Sequence, residues 1–232
     1  MTVLSMVQSV CRRVGIPTPS LVVSATDETV LRLLELAQEE GRELARYGDW
    51  RVLRKEKTFT TVAAETQTDT PLPADLGGFI DNTFWNRTAS RRLTGPLTSD
   101  QWQTIKANSG PASTDSFYLR GTSWLMSPVP AASQTIAYEY RSSYWCESSG
   151  GTDQEYWQAD TDVGLISERL MGLGLLWRFK QSRGLDWQTD HEKYMFEVND
   201  ALAKDSPRQV VDLRGSPLIS RGIGVPEGSW AL

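Results

Sequence analysis

Val3, Leu4, Val7, Val10, Cys11 and Val14 recur at three- and four-residue spacing. This is the pattern of one helical face, and Gly15 with Pro17 closes it, because glycine accepts a left-handed cap and proline cannot continue a helix. A second helix is predicted from Thr26-Asp27-Glu28, whose oxygens cap it and whose charges suit its N-terminus. Its apolar stripe is Val30, Leu33, Leu34, Ala37, Gly41, Leu44 and Ala45, with Glu39/Arg42 and Glu43/Arg46 on the other side and Gly48 at the end.

From about Lys57 the period shortens. Phe59–Val62, Phe79–Trp85, Ser116–Arg120, Ser123–Ser127 and Gln134–Arg141 read as strands, with Gly121-Thr122 as a tight hairpin turn. Ile136, Tyr138 and Tyr140 alternate with Ala137 and Glu139, which predicts one buried face. Thr98 and Gln101 have capping-box spacing and start a short helix through Ala107. After a polar loop, Ser142–Ala159, a helix capped by Asp160–Asp162 is predicted to run to Ser182 and end at Gly184. Another follows from Asp186 to about Lys204, stopped by Pro207. Gly164, Gly172 and Gly174 fall on the first of these, where close helix–helix approach explains a costly residue.

The fold class predicted is therefore α+β: a helical bundle built from both ends of the chain, a β-rich section inserted between, and an extended C-terminal arm. The expected parts are 1–50 and 159–206 for the two halves of the bundle, 51–158 for the insertion, and 207–232 for the arm. No single helix of such a set buries its apolar face alone. In the arm, Pro207, Pro217 and Pro226 alternate with Gly215, Gly222, Gly224 and Gly228. Short apolar groups (Val210-Val211, Leu218-Ile219, Ile223, Val225) sit between Arg208, Arg214 and Arg221. Two readings fit this mixture: an arm that orders on another subunit, and a plain unstructured end.

Composition narrows the function. The chain has 232 residues, 39% of them hydrophobic, and a net charge of -5, which argues against a general nucleic-acid binder. Nine tryptophans is a high number, and tryptophan favours half-wet packing and interfaces. Cys11 and Cys146 are too few for a disulfide framework and read as free thiols. In MTVLSMVQSVCRR the charges follow the apolar part, the reverse of a signal peptide, and the longest apolar run, Gly172–Trp177, is far short of a membrane span. The expectation is a protein assembled in cytosol, with no membrane partner.

Chemical signatures are weak throughout. His191 is the only histidine; His191-Glu192 opens like a zinc-protease motif, but Met195 stands where the second ligand belongs. Gly172-Leu173-Gly174 and Gly222-Ile223-Gly224 lack the strand-then-helix setting of a dinucleotide site. Asn86-Arg87-Thr88 fits a glycosylation triplet by coincidence. The segment DQEYWQADTD, Asp153–Asp162, has two readings. One is a glycan-acting site using Glu155, Asp160 and Trp157; the other, favoured, is the acidic N-terminus of a helix. No catalytic residue, metal ligand or cofactor is assigned.

Several stretches in order resemble the head-to-tail adaptor (connector) proteins of short-tailed, podovirus-like bacteriophages. They are LSMVQSVCRRVGIPTPS, LLELAQEEGRELARYGDW, PLPADLGGFIDNTFWNRT with its continuation RRLTGPLTSDQW, and YEYRSSYW. LGGFID departs from the more polar, acidic turn expected of such proteins. The resemblance implies a structural, non-enzymatic virion protein in the neck or tail region. It implies a dodecameric ring joining the portal protein to a tail nozzle or tail-hub protein. Double-stranded DNA would pass through its channel unread, and the C-terminal arm would climb along the portal. Another tail-completion or neck subunit is the alternative within the virion. The residues expected at protein interfaces are Arg91, Arg92 and Trp102 in the β-rich section, and Arg208, Arg214, Ile219, Arg221 and Ile223 in the arm.

Overall fold

The computed structural model describes residues 2–69, 71–108 and 114–205. The N-terminal third is helical. Thr2 caps α1 (Val3–Val14) through its side chain, and Gly15 ends it at φ 78°, a left-handed conformation open to glycine. Asp27 caps α2 (Glu28–Tyr47) by accepting the backbone N–H groups of Thr29 and Val30. The buried residues of α2 are the seven of the predicted stripe and one more, Glu40.

A 3-10 turn at Arg51–Leu53 leads into β1 (Arg54–Thr60), followed by β2 (Thr66–Gln67), β3 (Leu76–Phe79), β4 (Trp85–Asn86) and β5 (Arg91–Arg92). α3 (Ser99–Ala107) starts with the predicted capping box of Thr98 and Gln101. The hairpin β6 (Ser116–Arg120) and β7 (Ser123–Ser127) turns at Gly121, φ 61°. Then come β8 (Thr135–Ser142), the short β9 (Cys146–Glu147), β10 (Asp153–Gln154) and β11 (Val163–Gly164), and two helices, α4 (Glu168–Ser182) and α5 (Gln188–Asp205). The class is α+β with antiparallel sheets.

Two expectations about element bounds are corrected. The predicted strand Phe79–Trp85 is broken: β3 ends at Phe79, and the chain turns at Asn82, φ 64°, before β4 begins. Asparagine tolerates that conformation better than other non-glycine residues. The helix expected from Asp160–Asp162 begins only at Glu168. Those acids hold loops instead: Asp160 accepts the N–H groups of Val22 and Val23 at 2.9 and 2.8 Å, and Asp162 accepts those of Gln158 and Ala159 at 2.7 and 2.9 Å. Carboxylates satisfy stray loop donors as readily as helix caps, and local spacing does not tell the two apart.

The chain divides into two compact units. One takes the residues up to Arg54 and those from Arg141 onward; the other is Lys55–Tyr140. In the first, α4 packs against α1, α2 and α5. The buried faces of these helices share a core with Trp50, Trp145, Cys146 and Trp157. Two glycines set its tightest approaches. A Cβ on Gly41 would strike the ring of Trp145, and one on Gly174 would strike the carboxylate of Glu40. The predicted crowding at Gly174 is thus real, but what crowds it is a buried charge.

In the second unit, β8 pairs with β1, β3 and β4, while β2, β7 and β6 form a separate three-stranded sheet. The core is aromatic: Phe59, Phe84, Phe117, Trp124, Tyr138 and Tyr140, with Phe79 packed on it. Phe117 and Trp124 stack with ring centres 4.2 Å apart. The buried phenols find acceptors, Tyr138 on the Pro71 carbonyl and Tyr140 on Asp75 at 2.9 Å. Asp75 also takes an ion pair from Lys55 at 2.7 Å. The alternation of Ile136, Tyr138 and Tyr140 does place one face of β8 in the core.

Candidate interaction surface

Arg91 and Arg92 form β5, and both are exposed. They lie opposite β4 in antiparallel register, Arg92 beside Trp85 and Arg91 beside Asn86. Arg92 donates to the Asn82 carbonyl at 3.1 Å, and its guanidinium lies 5.6 Å from the centre of the half-buried Trp85 ring. Such a pair is pre-organised: the ring fixes the guanidinium and spares part of the entropy that an interface would have to remove. Next to it, Arg87 pairs with Glu56. A shallow depression runs from Asn82 and Ser90 past Trp85 to Glu139.

Trp102 is elsewhere. It is 1% exposed and stacks on Tyr118 at 5.4 Å, with Lys106 over its other face. The packing of Trp85 on Trp102 that the sequence invites is replaced by these two separate pairings, and Trp102 offers almost no surface to a neighbour. Arg208, Arg214, Ile219, Arg221 and Ile223 lie outside the described residues.

The glycan-site reading of Asp153–Asp162 loses its parts one by one. Trp157 is 2% exposed and meets Trp145 edge-on at 4.6 Å, so its face is not open to a sugar. Asp160 is engaged with backbone amides, as above, and only Glu155 and Tyr156 are exposed. His191 sits in an aromatic cluster, with Trp177 and Trp187 at 4.8 and 5.8 Å. The Asn86 side chain is buried and bonded to Gln134 and Ala89, which removes it as a glycan acceptor.

Both thiols are free and buried. Burial raises the Cys11 pKa, and burial with the charges of Asp162 and Asp153 pushes Cys146 up to about 12. A thiol reacts through its thiolate, so neither should react with Ellman's reagent at pH 8 in the folded chain. Two equivalents should be released on unfolding; prompt native reaction of either would contradict this packing.

The largest buried polar feature joins three helices. Arg178 of α4 donates to Glu40 at 2.7 Å and to Glu43 at 2.6 Å, and approaches Glu39 at 3.5 Å, all on α2. Its guanidinium lies 4.7 Å from the Trp177 ring centre, and Tyr194 of α5 bonds toward Glu40. Glu40 is fully buried. Burial raises its pKa, with Tyr194 and Arg178 opposing, while its charge holds the Tyr194 phenol protonated well above the usual range. The sequence gave no hint of this group, because Glu40 sits beside Glu39 and looks like another surface acid.

What the described side chains do, then, is hold the fold together and present arginine and aromatic surface, as in a structural protein that works by contact. The sequence model of the SU10 adaptor protein family matches residues 1–219, and the chain belongs to that family. Membership makes it a phage adaptor protein of the head–tail type, a structural class and not an enzyme family, and implies contacts with other virion proteins. No curated protein matches the chain. No helix among the described residues is long and apolar enough to cross a membrane.

Proposed function

We propose that the chain is a ring-forming adaptor subunit in the virion neck, joining the portal protein to a tail nozzle or hub. Membership in the adaptor family over residues 1–219 carries this reading. A dodecameric ring is the proposed assembly, with double-stranded DNA passing through the channel. A net charge of -5 suits that passage, since a wall that gripped phosphates would slow the DNA. Arg91 and Arg92 are proposed as contacts to another protein, and the segment 207–232 as an arm that orders on the portal. Proline and glycine keep such a segment soluble, and its spaced apolar residues supply anchors once a partner is present.

The purified chain is expected to stay monomeric alone and to form a ring when its portal is added. Mass photometry with and without portal reads this directly. Failure to associate with portal at any concentration or ionic strength would contradict the proposal.

A further inference from the structure

We infer that a groove at one end of the helical unit receives α5 of a second copy of this chain, with Phe196 as the inserted side chain. The inference rests on the adaptor reading and assigns that reading a subunit contact. The groove has a volume of ≈ 860 Å³ and lies where α1 ends, α2 begins and α4 ends. Val14, Ile16, Leu21, Leu33, Phe179 and Leu185 give it an apolar lining, and Leu21 and Leu185 are 39% and 48% exposed. Both of these are thus apolar surface left in water on its rim.

Phe196 is the natural complement. At 73% it is the most exposed large apolar residue among those described, and it stands on the outer side of α5 while Tyr194 and Val198 point into the core. A phenylalanine so placed contributes nothing to its own fold and is of the kind that anchors a helix in a groove. Charge selects the same occupant. Arg12 and Arg13 are exposed in the last turn of α1, beside the lining residues Cys11 and Val14, and Arg183 lines the groove itself. Asp27, the acid on that wall, is engaged in capping α2. Helix α5 carries five carboxylates against two lysines, and exposed Glu192 lies one turn from Phe196. The arm at 207–232, with Arg208, Arg214 and Arg221, has the wrong sign for this rim.

Groove and inserted residue are different patches of one surface, so the contact is head-to-tail. Contacts of this kind propagate from copy to copy and close into rings when the rotation allows. Two copies meeting groove to groove would instead bring their arginines together.

Phe196→Asp should fold normally, because the side chain is in water, and should raise the concentration needed for portal-dependent assembly by about thirtyfold. Glu192→Arg should weaken assembly, and the double change Arg12→Glu with Arg13→Glu should restore part of it. Independently of portal, chains carrying Phe196→Cys mixed with chains carrying Leu185→Cys should form a mixed disulfide dimer on mild oxidation. Phe196→Cys chains alone should not. If Phe196→Asp assembles like the wild type, or the mixed dimer is absent, the contact is refuted while the adaptor reading stands. If wild type ignores portal but the mixed dimer forms, the adaptor reading fails and the contact stands. Faster thiol labelling of Leu185→Cys after removal of residues 207–232 would show the arm in the groove, and would also overturn the inference.

Discussion

Arg178→Met is expected to cost about 3–5 kcal/mol of stability, because it strands a fully buried carboxylate without its counter-charge. Methionine fills much of the arginine stem's volume, so the loss reports charge more than packing. Glu40→Gln should cost much less, since Arg178 keeps Glu43 and the rim acid Glu39. Adding Glu40→Gln to Arg178→Met should recover part of the loss, a coupling that a double-mutant cycle measures by denaturant unfolding. The pH dependence has a definite sign. Burial raises the Glu40 pKa in the folded chain above its unfolded value. The folded state therefore holds this proton to higher pH, and stability from this group falls as pH rises from the unfolded value through the raised one. Losing Arg178 raises the folded value further, so the deficit of the variant should be greatest at neutral pH and shrink on acidification. A deficit that is flat with pH would mean that packing, not charge, is what Arg178 supplies.

The position of Glu40 shows where the sequence could be read and where it could not. Seven residues of the α2 stripe are legible from spacing alone, because burial of one helical face imposes a 3.6-residue period. Glu40 belongs to the same face, yet a lone carboxylate among apolar residues is indistinguishable from a surface acid until Arg178, far away in sequence, is brought to it. The α+β class follows from the change of period near Lys57. The hairpin bounds Ser116–Arg120 and Ser123–Ser127 follow from a glycine turn between two β-rich runs. The start of α4 is misread because Asp160 and Asp162 satisfy loop amides, a use of carboxylates that leaves the same local pattern as a cap. Of the interface candidates, Arg91 and Arg92 are visible as charges at a turn. Trp102 misleads, since a tryptophan in a capped surface helix gives no sign of the Tyr118 ring waiting for it. The exposed Phe196 is missed for the opposite reason: in a sequence, an outward phenylalanine looks like core.

Removal of Pro207–Leu232 is expected to abolish portal binding while leaving the thermal unfolding of the remainder nearly unchanged. The argument is one of anchors. Val210-Val211, Leu218-Ile219, Ile223 and Val225 are spaced along a proline- and glycine-rich segment. A segment of this kind gains its affinity only by ordering on a partner and carries the cost of that ordering into the complex. Losing every anchor at once should take binding below detection in a pull-down with portal, and restoring the segment as a fusion should bring it back. A truncated chain that binds portal as the full chain does would move the contact to the folded units, with Arg91 and Arg92 as the first residues to test.

The central claim is a location: a ring between portal and tail. Low-resolution electron microscopy of assembled particles, with the chain labelled by a fused marker, tests it most directly. The account predicts a symmetric ring of marker density immediately below the portal, coaxial with the DNA channel. Marker density on the capsid shell, at the tail tip, or absent from the particle would contradict it.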